Sequence, residues 1–268
     1  MFFSELKLDY YRYLPVLRRL LLLLLIKVNI VLILNCSSTK IRRYEDPAKA
    51  EIAKSEELKA LERGREIWFD PNTGTNGRSC ESCHPDGEMT NAEQYPRYKQ
   101  ILRTMATLSM THNFAVVNES KGKAWELGSY DANALVLYVK SLANGKPIHM
   151  AWPKKYRDDW ISQGKIAFNN PDIGTNNLSC ASCHQNNGKK QQVVHREPAP
   201  KLKAIAATYP RYSFEQEEVI TLEQQVNYCI EKKLSGTPLP LDNETIVAIC
   251  CYVTSLSKGK KIAVANYK

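Results

Sequence analysis

Pro71-Asn72-Thr73-Gly74-Thr75-Asn76-Gly77-Arg78-Ser79-Cys80-Glu81-Ser82-Cys83-His84 recurs as Pro171-Asp172-Ile173-Gly174-Thr175-Asn176-Asn177-Leu178-Ser179-Cys180-Ala181-Ser182-Cys183-His184. Outward from this pair, Tyr95-Pro96-Arg97-Tyr98 returns as Tyr209-Pro210-Arg211-Tyr212, and Thr107-Leu108 as Thr221-Leu222. Tyr138-Val139-Lys140-Ser141-Leu142 matches Tyr252-Val253-Thr254-Ser255-Leu256, and each closes on Gly-Lys, at Gly145-Lys146 and Gly259-Lys260. These later landmarks keep one spacing in both copies, and only the stretch before the second Tyr-Pro-Arg-Tyr is longer. Self-similarity of this kind marks a tandem duplication, with its boundary near Ala151-Trp152-Pro153. The 268 residues also suit two domains better than one.

The repeated Cys-x-x-Cys-His carries chemistry. Its two thiols are suited to form thioethers with haem vinyl groups, and the histidine that follows is placed to be the proximal iron ligand. Cys80, Cys83 and His84 are therefore expected to hold one haem c, and Cys180, Cys183 and His184 a second. A structural zinc site needs four ligands in closed geometry, and this spacing supplies three at most. A thioredoxin-like redox pair needs a strand-to-helix context and explains neither the histidine nor the duplication.

Each copy reads as a small helical unit. Residues 60–69 and 160–168 have helical composition and run into Pro/Gly/Asn turns. Residues 131–142 and 243–256 carry apolar side chains at three- and four-residue intervals, the mark of an amphipathic terminal helix. No alternating strand pattern of any length competes. A helix, a loop bearing Cys-x-x-Cys-His and a packed terminal helix resemble the class I cytochrome c fold. The fold class expected is all-α, with two tandem domains at residues 59–150 and 151–268.

The first 35 residues read as a signal peptide. Arg18 and Arg19 precede a run from Leu20 to Leu34 broken only by Lys27 and Asn29, about the length of a signal h-region and short for a membrane span. It ends at Ile33-Leu34-Asn35-Cys36, which resembles a bacterial lipobox although Asn35 stands where a small residue is usual. Lipidation of Cys36 would tie an exported, periplasmic protein to a membrane. Residues 36–58 then read as a charged tether leading into the first helix. The formal charge of +9 falls to +6 without residues 1–35, which carry five Lys/Arg against two Asp/Glu. Haem propionates lower it further. A mildly basic surface of this kind suits acidic redox partners, and nucleic acid is not expected as a partner.

Of eight cysteines, four belong to the haem motifs and Cys36 to the lipobox. Aligning the copies puts Cys250 and Cys251 opposite Val136 and Leu137, as small buried hydrophobes, a disulfide being the other reading. Cys229 aligns with Ala115 in a segment expected to be helical and close to the second haem. It is either an axial thiolate ligand or an inert buried cysteine. For the sixth ligand of the first haem the candidates are Met105, Met110 and His112. Helical spacing from Ala115 favours His112, and the precedent of His/Met haems favours a methionine. His149 and His195, beside proline-containing loops, read as surface residues.

The second copy resembles two related families. Tyr209-Pro210-Arg211-Tyr212, Thr221-Leu222-Glu223-Gln224-Gln225-Val226-Asn227-Tyr228-Cys229-Ile230-Glu231-Lys232, Gly236-Thr237-Pro238-Leu239-Pro240 and residues 252–259 are similar to dihaem thiosulfate dehydrogenases and to the A subunit of the Sox sulfur-oxidation cytochrome. The resemblance implies that Cys229 ligates the active-site haem iron, giving His/Cys coordination. It also implies an arginine four residues earlier for an anionic sulfur substrate. This chain has Gln225 there, with Lys232 and Lys233 one turn beyond Cys229. Two function classes follow. One is electron transfer between periplasmic donor and acceptor proteins. The other is a thiosulfate or sulfur-compound oxidoreductase, with the Cys229-ligated haem as catalytic centre and a small sulfur anion as ligand. Gln225 weighs towards electron transfer.

Overall fold

A computed structural model describes residues 46–150, 152–184 and 202–267. The expected signal peptide, the lipid anchor at Cys36 and His195 lie outside the described residues. From Ala48 onward the two copies pack as one unit.

Each copy is built from three main helices. Helix α1 (Pro47–Phe69) opens the first and begins inside the stretch read as a tether. Lys, Ala and Glu are good helix formers, and a proline in the first turn is compatible with helix. Its Ala53, Glu57, Ala60, Gly64 and Ile67 form a buried stripe at three- and four-residue spacing. Helix α2 (Leu108–Asn118) and helix α3 (Tyr130–Ser141) follow. The second copy repeats the order as α4 (Lys154–Asn169), the short α5 (Cys180–His184), α6 (Leu222–Leu234) and α7 (Glu244–Leu256).

In both copies the first and last helices cross at a glycine. A Cβ on Gly64 would stand 2.0 Å from the carbonyl oxygen of Ala134, and one on Gly164 1.9 Å from that of Ala248. Only a residue without a side chain permits that approach. Beside each crossing an aromatic ring links the terminal helix to the haem-motif histidine. Trp68 lies 5.9 Å from Tyr138 and 6.1 Å from His84, and Phe168 lies 5.2 Å from Tyr252 and 6.2 Å from His184, measured between ring centroids.

The strands are a feature the sequence did not announce. In the first copy β1 (Arg97–Lys99) pairs antiparallel with β2 (Thr104–Ala106), and in the second β3 (Arg211–Ser213) pairs with β4 (Glu218–Ile220). Each hairpin leads directly into the helix expected to face the haem, whose first turn is capped by Thr107 or Thr221.

The core of the second copy gathers Phe168, Val226, Ile230, Ile246, Ile249, Cys250 and Val253. A second cluster joins the copies, with Met105 of the first against Val247 and Cys251 of the second. Cys250 and Cys251 are free, buried thiols. Glu57, fully buried, accepts from the Tyr212 backbone N–H at 2.9 Å and from the Tyr267 hydroxyl, tying α1 to the second copy.

Candidate haem sites

The repeated motif is stitched to the helix that faces it. Thr75 and Thr175 donate from their hydroxyls to the carbonyls of Lys121 and Ser235, at 3.0 and 2.7 Å. Asn76 and Asn176 donate to those of Glu119 and Lys233, at 2.6 and 3.0 Å. The Glu119, Lys233 and Ser235 carbonyls belong to the C-terminal ends of α2 and α6, where helix geometry leaves acceptors without partners, and Lys121 follows two residues beyond the α2 cap. The Thr and Asn recurring ahead of Cys-x-x-Cys-His therefore fix the haem loop against the helix carrying the sixth-ligand candidates. At the far side Asn113 clasps Trp125 and Asn227 clasps Leu239, each pair through two hydrogen bonds between the side-chain amide and the backbone.

In the first copy His84 engages the carbonyl oxygen of Glu88 through Nδ1 at 2.9 Å, which orients the ring with Nε2 as its other face. Glu81 accepts from the Asp86 backbone N–H and from the Trp68 indole, which hold its carboxyl below the usual range and brace the loop. His112 lies within electrostatic reach of His84, and its Nδ1 is buried with no hydrogen-bond partner. Burial pushes this imidazole down to about 3, with the His84 charge adding to the effect. Met110 instead packs on the inter-copy cluster of Met105, Met150 and Trp152, and Met105 is fully buried there. His149 is exposed.

In the second copy Cys229 on α6 lies within electrostatic reach of both motif cysteines. Burial, with a smaller contribution from the nearby Cys229, raises the Cys180 thiol to about 12. Burial also pushes the Cys229 thiol up, opposed by a hydrogen bond from Gln225 and by the Lys233 charge. Gln225 donates through Nε2 to the Cys229 sulfur at 3.5 Å, and its Oε1 accepts from the Tyr209 hydroxyl at 2.9 Å. Lys232 pairs with Glu231 at 2.6 Å, and it is the Lys233 charge that acts on Cys229. Tyr209, which the sequence marks only as a repeat and family landmark, is thus part of the site, and so are the paired Thr and Asn.

These residues fit a covalent haem c. Each Cys-x-x-Cys-His faces a helix bearing a potential iron donor. The buried, unpartnered Nδ1 of His112 and the amide directed at the Cys229 sulfur are features an iron-ligating imidazole and thiolate would account for.

The family described as SoxA/TsdA, cytochrome c domain, matches residues 63–148 and again residues 163–262. Among relatives, the L-cysteine S-thiosulfotransferase subunit SoxA of Hydrogenobacter thermophilus is 24% identical over 249 residues, 85% of this chain and 93% of its own. That of Rhodovulum sulfidophilum is 25% identical over 206 residues, 75% and 69% of the two chains. Thiosulfate dehydrogenase of Allochromatium vinosum is 33% identical over 89 residues, 33% of this chain and 32% of its own. The fold is similar to a chain in the crystal structure of SoxXA from P. pantotrophus, with a TM-score of 0.71 and 16% identity over 84% of this chain and 86% of that one. With both copies matched by the family, the chain belongs to the SoxA/TsdA cytochrome c family and is a cytochrome with covalently bound haem c.

Proposed function

We propose that this protein is an exported dihaem cytochrome that passes single electrons between partner proteins in the oxidation of sulfur compounds. Cys80, Cys83 and His84 hold one haem c, and Cys180, Cys183 and His184 the other. His112 completes the coordination at the first site and Cys229 at the second. The observation that carries this reading is the position of Cys229, within electrostatic reach of Cys180 and Cys183 where the first copy has Ala115. When bound, each haem supplies a one-electron iron couple, and a thiolate donor sets a lower potential than imidazole. The chain's own part is to fix those donors, through Thr75, Asn76, Thr175 and Asn176, so that little reorganisation accompanies each electron. The relatives, named as thiosulfotransferase subunits and thiosulfate dehydrogenases, support placing the electrons in sulfur chemistry. Those sulfur-oxidising systems and the signal-like leader support a periplasmic location, with Cys36 as lipid anchor.

A sulfur-compound oxidoreductase is the second reading, favoured by the Lys233 charge acting on Cys229. Against it, Gln225 is uncharged and its amide is already engaged by Tyr209 and Cys229. Anaerobic titration of the purified protein, with ferricyanide as acceptor, separates the two. Dithionite is expected to reduce two haems per chain, whereas thiosulfate alone reduces neither and supports no turnover. Ferricyanide reduction dependent on thiosulfate would overturn electron transfer in favour of the oxidoreductase.

A further inference from the structure

We infer that Gln225 is a positioning residue that sets the potential of the second haem, by holding a hydrogen bond on the Cys229 sulfur while Tyr209 locks its carboxamide. The inference rests on Cys229 being an iron ligand, as proposed above. Three observations carry it. Gln225 and Cys229 stand four residues apart on α6, one helical turn, which brings the two side chains onto the same face. The Nε2 group reaches the sulfur at 3.5 Å while Oε1 accepts from the Tyr209 hydroxyl at 2.9 Å. An amide has a donor end and an acceptor end, so a phenol donating to the oxygen leaves the nitrogen end for the sulfur. The Tyr209 ring is itself held, with the Arg211 guanidinium 4.5 Å from its centroid.

The first copy has no such relay. Thr111 stands at the position of Gln225 and turns its hydroxyl back to the Thr107 carbonyl at 3.0 Å, and Ala115 stands at the position of Cys229. The relay therefore accompanies the thiolate alone.

The consequence follows from charge. A thiolate donates electron density to iron and favours the ferric state. An N–H aimed at the sulfur draws part of that density back and so favours the ferrous state, which is how hydrogen bonds to ligating sulfur tune metal centres. Gln225 thus counteracts the low potential that Cys229 imposes, keeping the second haem within reach of its donor.

Potentiometric titration followed by electron paramagnetic resonance of the low-spin ferric signals tests this on the full holoprotein. Gln225→Met keeps length and removes the donor. It is expected to lower the second haem's midpoint potential and shift that haem's resonance positions, leaving the first haem unchanged. Tyr209→Phe frees the carboxamide to rotate and is expected to give a smaller shift in the same direction. Tyr209→Phe alters one hydroxyl, so it reports even where Gln225→Met fails to mature. Wild-type values in both variants, with altered values in Cys229→Ala, would overturn the role of Gln225 and leave the ligation standing. Wild-type values in Cys229→Ala as well would overturn the ligation itself.

Discussion

Gly164 lies against the carbonyl of Ala248 so closely that a Cβ there would stand 1.9 Å from the oxygen. The obstacle is backbone, which no rotamer change can move, so Gly164→Ala must push α4 and α7 apart. Overpacking of this kind costs about 1–3 kcal/mol. Urea unfolding of the holoprotein is expected to give a loss in that range for Gly164→Ala, and a similar loss for Gly64→Ala at the matching crossing. Gly77→Ala meets no atom within 4 Å, though its φ of +73° favours glycine. It should cost about 1–2 kcal/mol, from backbone strain alone and without parting any helices.

Lys140 supplies a pH dependence. Its ammonium is buried and donates to the Ala92 carbonyl at 3.1 Å. Burial lowers its pKa from 10.5 to about 8, against the opposing charges of Glu223 and Glu93. Between about pH 8 and 10.5 the unfolded chain binds the proton more tightly than the folded one, so stability from this group rises with pH there. The gain lies roughly between 2 and 4 kcal/mol. Unfolding free energies of wild type and Lys140→Met are expected to diverge in favour of wild type across that window. Parallel pH profiles would contradict the buried ammonium.

The first haem offers a choice between donors on α2. His112 lies within electrostatic reach of His84 with a buried, unpartnered Nδ1, whereas Met110 packs on Met105, Met150 and Trp152. His112→Ala is expected to convert one low-spin ferric haem to high-spin or to a shifted low-spin signal. Met110→Leu, close to volume-conserving, should leave both signals in place at a cost below about 1.5 kcal/mol. The reverse pattern would assign the ligand to Met110.

The anchor is tested separately from the haems. Lipidated Cys36 should carry the protein into the detergent phase, since two or more acyl chains give stable anchoring. Cys36→Ala is expected to release a soluble, haem-loaded form. Among the described residues no helix is long and apolar enough to cross a membrane.

Much of this architecture is legible in the sequence because it is periodic or repeated. The apolar spacing of 131–142 and 243–256 foretells α3 and α7, and alignment of the copies puts Cys250 and Cys251 in the core, where they lie. The hairpins are not legible, because strands of three residues are too short to display an alternating pattern. Gly64 and Gly164 are visible as glycines within helices, but their meaning depends on Ala134 and Ala248, far along the chain. The repeated Thr-Asn is visible too, and only the fold reveals that it binds the ends of α2 and α6. The Tyr209–Gln225 contact is hidden for the same reason. It joins two elements through a side-chain bond that neither residue's local pattern encodes.

In the proposed function the chain carries two haems made inequivalent by the Cys229 thiolate. One potentiometric titration of wild type and Cys229→Ala, read by the low-spin ferric resonances, decides whether that inequivalence exists. Two waves of equal weight are expected in the wild type, the lower belonging to the second haem. In Cys229→Ala the lower wave should move to higher potential and lose its thiolate-type signal, with the upper wave unmoved. Two unchanged waves and an unchanged spectrum in Cys229→Ala would contradict it.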